Sequence, residues 1–255
     1  MFKTAWRFCC APLLAACFLV SAPAAAQTLG KGDTVGNLPL IPEPMVFDMV
    51  RPLGAKRGEL EVNTLALFPL RSDGQPVDWA PEIEYAFADG WGFEFELPFE
   101  NGTLESYKFA LQGTFGALAN NRAIHGVQYF TEIDAHTGRL DHTLVYILGA
   151  RYGDKWSSLT MVGFNIPNDL REPGEARDDA VLVNHSVFKE LGKNNIIGVE
   201  TNIRAGRDRT SWLVMPQVHQ KLMENLMLQA GLGAQRPRFG GRVHPTAGVR
   251  LIREF

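Results

Sequence analysis

Hydrophobic and polar residues alternate along most of this chain, and the alternation is clearest on either side of one Asp-Gly pair. Ile83, Tyr85 and Phe87 share one face of the run before the pair, and Phe93 and Phe95 share one face of the run after it. An Asp-Gly pair between alternating runs is the strongest short-range signal for a β-hairpin. Because successive side chains of a strand point to opposite faces, the pattern predicts antiparallel strands with one apolar and one polar face.

Twelve segments follow this two-residue period. They cover approximately residues 58–68, 81–88, 91–99, 105–116, 124–134, 140–152, 155–165, 180–190, 195–204, 211–220, 225–234 and 244–255. Their lengths lie near the roughly 9 to 11 residues that a tilted strand needs to cross a bilayer. The segments therefore predict an all-β fold, an antiparallel up-and-down transmembrane β-barrel of about twelve strands.

The connections between these segments alternate in length. Connections such as 69–80 and 167–179 are long, whereas connections such as 89–90 and 153–154 are short, and residues 117–123 form the least regular turn. This is the pattern of a barrel with both termini in the periplasm and its long loops outside the cell. A soluble β-sandwich has the same alternation with the opposite exposure, so the periodicity by itself leaves that alternative open.

The N-terminus has the organisation of an export signal. Lys3 and Arg7 precede an apolar run over residues 8–20, and small residues end at Ala26. Residues 1–26 are therefore predicted to be a secretory signal peptide that is cut after Ala26. An alternative reading is a lipoprotein signal with a lipid on Cys17, because Cys17 follows a Leu-Ala-Ala sequence.

Composition excludes several classes of protein. At 45% hydrophobic residues the chain lacks the repeated apolar runs of a helical membrane bundle. All three cysteines lie in the predicted signal peptide, so disulfides and cysteine metal sites are not expected after its removal. The remaining chain carries 23 basic and 28 acidic residues, and this acidic excess argues against a nucleic-acid partner.

Residues 27–57 are rich in glycine and proline and are predicted to form an N-terminal extension ahead of the barrel domain, residues 58–255. Prolines at this spacing are poorly tolerated in helices and central strands. The extension is either an ordered or floppy N-terminal segment or a segment that packs at the mouth of the barrel. Met45, Val46 and Phe47 are apolar enough to dock there.

Strand parity predicts which polar side chains point into the barrel. The predicted pore-lining set is Glu82, Glu84, Glu94, Glu96, Lys108, Gln112, Gln128, Glu132, Glu200, Asn202, Arg204, Gln217, His219, Gln229 and Arg250. Because the last strand of a closed barrel pairs with the first, Arg250 is expected to reach the early glutamates. The set fits either a salt-bridged, filled interior or a narrow pore that favours cations or polar neutral solutes.

The sequence gives little support for a catalytic site or a metal site. His185 and Ser186 are adjacent, so on one strand they point to opposite faces and cannot act together as base and nucleophile. The six histidines are scattered without the spacing of metal ligands. We therefore predict no catalytic residue, no metal site and no cofactor.

The predicted signal peptide, the alternating strands and the terminal phenylalanine together resemble bacterial outer-membrane β-barrels. In that class the last strand carries an assembly signal of alternating apolar residues that ends in an aromatic residue. Val249, Leu251 and Phe255 match this signal, whereas Arg253 stands where an apolar residue is usual. The resemblance implies export to the Gram-negative outer membrane, with the barrel-assembly machinery and outer-membrane lipid as partners.

Two segments, residues 81–85 and 91–99, are similar to small barrels grouped as transporters of the phenol-degradation meta-pathway type. This resemblance implies a channel or transport component for a small-molecule solute. A non-conducting structural or surface-interaction barrel is the alternative function. An outer-membrane lipid-modifying enzyme is the third.

Overall fold

A computed structural model describes residues 34–47, 49–71, 76–167, 179–207, 210–237 and 242–255. The predicted signal peptide, the alternative lipidation site at Cys17 and most of the long connection at 167–179 lie outside the described residues. Within them no helix is long and apolar enough to span a membrane. A short 3-10 turn at Val35–Asn37 is followed by strands.

The strands follow the two-residue hydrophobic period. They are β1 (Leu60–Pro69), β2 (Asp78–Ala88), β3 (Trp91–Glu96), β4 (Phe99–Glu100), β5 (Thr103–Leu104), β6 (Ser106–Leu118), β7 (Ala123–Asp134), β8 (Leu140–Tyr152), β9 (Trp156–Pro167), β10 (Ala180–Glu190), β11 (Asn195–Gly206), β12 (Thr210–Met223), β13 (Leu226–Arg236) and β14 (His244–Glu254). β4 and β5 form a two-residue hairpin on the connection from β3 to β6. The other twelve strands match the predicted segments to within three residues at each end.

These twelve long strands form one closed antiparallel sheet. Each pairs with its neighbours in the chain, and β14 pairs with β1 over nine residues. Closure leaves none of the twelve with a free edge. The predicted fold class, an all-β up-and-down barrel of about twelve strands, is confirmed.

The two ends of the barrel differ in their connections. At the end where β1 begins and β14 ends, the connections contain two to four residues, and we call this the short-turn end. At the opposite, long-loop end the connections reach twelve residues, although the one between β11 and β12 contains only three. Tight turns at the short-turn end include Gly90 and Gly153, both with positive φ.

The outer face of the barrel is apolar. Phe93, Phe109 and Phe164 are each more than 40% exposed, and Tyr107 and Trp91 are exposed beside them. A soluble monomer rarely exposes such a continuous apolar surface, whereas a barrel in lipid requires one. Glutamate, lysine and arginine side chains are meanwhile buried on the inner face. The exposure is therefore that of a membrane barrel and not that of a soluble sandwich.

Candidate functional site

We call residues 34–57 the lumen segment, and its described residues from Leu38 to Ala55 are buried or half-buried inside the barrel. The segment enters at the short-turn end, where the Arg151 guanidinium on β8 donates a hydrogen bond to the Leu40 carbonyl at 3.0 Å. It leaves at the same end, where the Gly90 N–H in the β2–β3 turn donates to the Ala55 carbonyl at 2.7 Å. The segment thus runs into the lumen and back, and then continues into β1.

One carboxylate holds the innermost part of the lumen segment. Glu200, in the middle of β11, accepts backbone N–H groups of Met45 at 2.8 Å, Val46 at 3.0 Å and Phe47 at 2.6 Å. The Asn202 side chain donates to the same carboxylate at 2.8 Å. Buried backbone donors need partners, and hydrogen bonds to a charged acceptor are the stronger kind. Glu200 therefore fixes the lumen segment at mid-barrel depth.

Amide side chains of the wall continue this attachment. The Val50 N–H donates to Gln128 Oε1 at 3.2 Å, and Gln112 Nε2 donates to the Arg51 carbonyl at 2.5 Å. Both glutamines are buried on the inner face. The returning half of the lumen segment is therefore bound through its backbone, which leaves its side chains free for contacts of their own.

Apolar side chains of the lumen segment pack on an apolar sector of the inner wall. Ile41, Met49 and Leu53 are nearly fully buried there. The wall residues in this cluster are Ile124, Val145, Ile147, Leu159, Met161, Phe188 and Ile196. Full burial of each such side chain contributes about 1.5–3 kcal/mol, so packing adds substantially to the hydrogen bonds.

Inward-facing glycines make room for the lumen segment. Met45, fully buried, packs on Leu213 and Met215. A Cβ atom at Gly231 or Gly248 would lie 2.8 Å or 2.6 Å from Met45 Cε, closer than non-bonded carbon atoms approach. Glycine at these two positions therefore leaves the space that Met45 occupies, and a larger residue would force the Met45 side chain to shift.

The opposite part of the wall carries glutamates in direct cross-strand register. Glu61 on β1 stands opposite Glu84 on β2, which stands opposite Glu94 on β3. Two residues further along the same inner face, Glu82 on β2 stands opposite Glu96 on β3. Like charges directly opposite one another destabilise a sheet, so this wall requires cations.

Arg250 on β14 supplies one of these cations. Its Nη2 lies 2.6 Å from Glu82 and 3.2 Å from Glu84, and its Nε donates to Asn63 Oδ1 at 3.0 Å. The expected approach of Arg250 to the early glutamates is thus observed. It depends on the pairing of β14 with β1, which brings the two ends of the chain together.

Lys108 on β6 supplies the second cation. Its ammonium lies 3.0 Å from Glu94 and 2.5 Å from Glu96. Carboxylate oxygens of Glu82, Glu94 and Glu96 come within 4.8 Å of one another, which is close enough to share a metal ion. Here Lys108 and Arg250 provide the positive charge, so the group is a salt-bridge network.

The third cation comes from the lumen segment. Arg51 is buried, and its Nη2 lies 3.1 Å from Glu59. Its Nη1 bonds Glu61 and lies 3.8 Å from Glu84 Oε2. Burial alone lowers the pKa of Arg51, but Glu61, Glu84, Glu43 and Glu59 outweigh this effect and raise it, so the guanidinium stays charged.

All fifteen residues of the predicted pore-lining set occupy inward positions of their strands. Twelve are buried, while Glu132, Asn202 and Arg204 are partly exposed. Several of them bind the lumen segment or one another and do not border an open channel. That they line a path for solutes stays a prediction.

Two features of the site escaped sequence reasoning. The inner face was expected to be polar, and this is wrong for the sector that includes Val145 and Phe188, where apolar side chains point inward. Residues 27–57 are predicted to be either an extension or a segment that packs at the mouth, and neither alternative includes insertion as deep as Glu200, where Met45 lies fully buried. Glycines at inward strand positions, such as Gly248, are the sequence signal for this deeper insertion.

The end of β14 has the orientation expected of an assembly signal, although its role stays a prediction. Val249 and Leu251 are exposed on the outer face. The Phe255 N–H donates to the Leu60 carbonyl at 2.9 Å. Arg253 extends over the Phe255 ring at 5.7 Å, which places its charge at the rim of the short-turn end.

His185 and Ser186 point to opposite faces, as their adjacency predicts. His185 Nδ1 lies 2.9 Å from the Thr160 hydroxyl on the outer face. The Ser186 hydroxyl faces inward and donates to Asn184 Oδ1 at 3.5 Å. This pair therefore cannot form a catalytic base and nucleophile.

Little space is left beside the lumen segment at the short-turn end. A cavity of about 40 Å³ lies between Ile41 and Glu43 on one side and His219 and Gln229 on the other. A water molecule needs about 10–15 Å³ by the same measure, so this space suits a few waters and not a solute. With the lumen segment in place, this cavity is too small to carry solutes.

Solved structures with the same architecture include three outer-membrane proteins. The NanC porin aligns with a TM-score of 0.63 at 8% identity, over 77% of this chain and 100% of its own. The KdgM porin aligns with a TM-score of 0.58 at 12% identity, over 76% and 99%. The COG4313 outer membrane channel from Pseudomonas putida F1 aligns with a TM-score of 0.63 at 12% identity, over 84% and 100%. At these identities the likeness establishes the fold.

Family comparison identifies the chain more directly. No curated protein matches the sequence significantly. Residues 40–239 match the family described as HAEPLYID-like, so the match includes much of the lumen segment as well as most of the barrel. The chain therefore belongs to the HAEPLYID-like family, with the fold of an outer-membrane porin-type β-barrel.

Proposed function

We propose that this protein is an outer-membrane channel for small solutes, and that the lumen segment closes it. One observation carries the proposal: the lumen segment occupies the barrel to the depth of Glu200, yet both of its ends lie at the short-turn end. It can therefore withdraw from the lumen without breaking any pairing between the twelve long strands. Side chains of the barrel strands that filled the lumen could not withdraw in this way.

The names of the structural neighbours support a channel. NanC and KdgM are described as porins, the COG4313 protein is described as an outer membrane channel, and KdgM has been solved in complex with disordered oligogalacturonate. We extend to this chain the passage of small-molecule solutes. The proposal includes a similarity to transporters of the phenol-degradation meta-pathway type.

The cellular setting follows from the same proposal. Residues 1–26 act as a signal peptide that is cut after Ala26, and residues 58–255 form the barrel domain. The short-turn end faces the periplasm and the long-loop end faces outward, as in other barrels of this type. Outer-membrane lipid covers the apolar outer face, and the barrel-assembly machinery recognises the last strand.

The acidic wall gives the open lumen its selectivity. Six glutamates at positions 59, 61, 82, 84, 94 and 96 contact three cations, and Arg51 withdraws with the lumen segment. Lys108 and Arg250 then remain on the wall, and the carboxylates outnumber them. An open lumen of this charge favours cations and polar neutral solutes over anions.

A non-conducting structural barrel is the second candidate, because the dense packing around Met45 and Met49 also suits a permanently filled interior. In that case the salt bridges and apolar contacts of the lumen serve only stability. The two functions differ in one observable property, which is ion conduction by well-folded protein.

Planar bilayers separate the two candidates. Full-length protein should give discrete conductance steps, and a KCl gradient should give a reversal potential that reports cation preference. In the double variant Glu94→Gln and Glu96→Gln this preference should weaken, because two negative charges leave the wall. Glu224→Gln, in an exposed turn, is the matched control and should leave the reversal potential unchanged. Absence of steps with well-folded protein, both in the full-length chain and in Glu200→Gln, which removes the main attachment of the lumen segment, contradicts the channel.

A further inference from the structure

We infer that the position of the Arg51 guanidinium is a binding subsite for guanidinium-bearing solutes, which Arg51 itself fills while the channel is closed. The inference rests on the proposed function, because a solute reaches the subsite only after the lumen segment withdraws. Glu59, Glu61 and Glu84 form the subsite, and each belongs to the barrel wall or to the turn directly before β1. The wall therefore keeps these carboxylates when Arg51 leaves.

Side chains of the barrel wall hold the carboxylates of the subsite in place, independently of the lumen segment. Asn63 Nδ2 donates to Glu61 Oε1 at 2.9 Å and to Glu84 Oε1 at 2.7 Å. Asn63 Oδ1 in turn accepts a hydrogen bond from Arg250 Nε at 3.0 Å. Carboxylates fixed by neighbouring side chains bind a cation without further ordering.

Arg51 leaves part of the subsite unused. Glu84 Oε2 is buried, makes no hydrogen bond within the described residues, and lies 3.8 Å from Arg51 Nη1. Arg51 Nε is likewise buried without an acceptor among the residues that the structure describes. The backbone of Arg51 is tethered by Gln112, which limits how far the side chain can advance. An untethered guanidinium can move the remaining distance and satisfy Glu84.

The geometry selects a guanidinium over a simple ammonium. Nη1 and Nη2 of Arg51 contact different carboxylates, those of Glu61 and Glu59. A planar guanidinium presents several N–H donors in fixed directions, whereas an ammonium is a compact point charge with a more tightly held hydration shell. Two carboxylates that approach separate nitrogens therefore match a guanidinium better.

Chemical rescue tests the subsite in the full-length chain. Arg51→Ala should melt at a lower temperature than wild type, and ethylguanidinium should restore the loss, whereas the neutral N-ethylurea should not. Calorimetry should show ethylguanidinium bound at least tenfold more tightly to Arg51→Ala than to wild type, where Arg51 competes. Adding Glu61→Gln should weaken that binding at least tenfold. Equal binding of the two compounds, or binding insensitive to Glu61→Gln, overturns the inference.

Channel block provides a second test that does not depend on the folding of Arg51→Ala. Agmatine should block the potassium current of wild-type protein, and Glu61→Gln should raise the blocking concentration at least fivefold. Glu224→Gln removes the same charge from an exposed turn and should change it less than twofold. Agmatine without effect on a conducting channel overturns the subsite but leaves the channel intact. A protein that conducts no potassium fails the proposed function itself, and rescue of Arg51→Ala then decides the subsite alone.

Discussion

Replacing Glu200 by glutamine should release the lumen segment. The carboxylate accepts the N–H groups of Met45 and Val46 on Oε2 and that of Phe47 on Oε1. Glutamine has one acceptor oxygen, so at least one of these N–H groups loses its partner and faces the donor NH₂ group of the new side chain. The hydrogen bonds that remain lose their charge assistance.

The structure sets the size of this effect. A hydrogen bond to a charged group contributes about 1.5–3 kcal/mol and a neutral one about 0.5–1.5 kcal/mol. One lost bond and two weakened ones amount to roughly 3.5–6 kcal/mol on these figures. An amide costs less to bury than a carboxylate, which offsets part of the loss and leaves about 2–4 kcal/mol. The withdrawn population should therefore rise roughly 30- to 700-fold.

Thiol labelling measures this population. Val50 is fully buried in the closed state, so a cysteine at position 50 reacts with a maleimide only after the lumen segment withdraws. The protein carries Val50→Cys with Cys9, Cys10 and Cys17 replaced by alanine. Glu200→Gln should accelerate labelling by the factor above.

Thr201→Val is the matched control, because Thr201 is the neighbour of Glu200 on β11 and faces outward by strand parity. Its labelling rate should match the parent, and heat-modifiable migration on gels should confirm that both barrels are folded. Labelling of Glu200→Gln within twofold of the parent would refute the assignment of Glu200 as the main attachment of the lumen segment.

Two further predictions concern the fit of the lumen segment and the wall. Gly248→Val should also accelerate labelling at position 50, at least tenfold, because its Cβ would lie 2.6 Å from Met45 Cε. Ala247→Val, on the outer face, is the control and should leave the labelling rate unchanged. Equal labelling rates in the two variants would contradict the contact between position 248 and Met45. Arg250→Gln should lower the unfolding temperature of the barrel on gels, since removal of one partner from a buried ion pair costs about 3–5 kcal/mol. Arg253→Gln, at the rim, is its control, and a drop as large in Arg253→Gln would contradict the special role of Arg250.

The barrel was predictable because its signal is local. Alternation with period two depends only on neighbours in the sequence, and an Asp-Gly pair sets the β2–β3 hairpin by itself. The contact of Arg250 with Glu82 was also predictable, because closure of any barrel brings the last strand against the first. These features follow from rules that need no knowledge of side-chain packing.

The contents of the lumen were harder to predict because their signals are distributed. Arg51 meets Glu84 across 33 positions, and nothing in the proline-rich sequence around Arg51 names that partner. β8 is apolar on both faces, with Val145 and Ile147 inward and Tyr146 outward, so alternation does not reveal which residues the lumen segment will cover. Packing against a non-strand segment determines these positions.

A reversible disulfide between the lumen segment and the wall tests closure most directly. A Cβ atom at Gly92 would lie 3.2 Å from Val50 Cγ1, so cysteines at positions 50 and 92 can form a disulfide without large movement. In bilayers, this double variant without the native cysteines should be closed when oxidised and should show conductance steps after reduction. Val50→Cys alone is the control, and its conductance should be the same with and without the reductant. Equal conductance before and after reduction, with the disulfide verified on gels, would contradict the account.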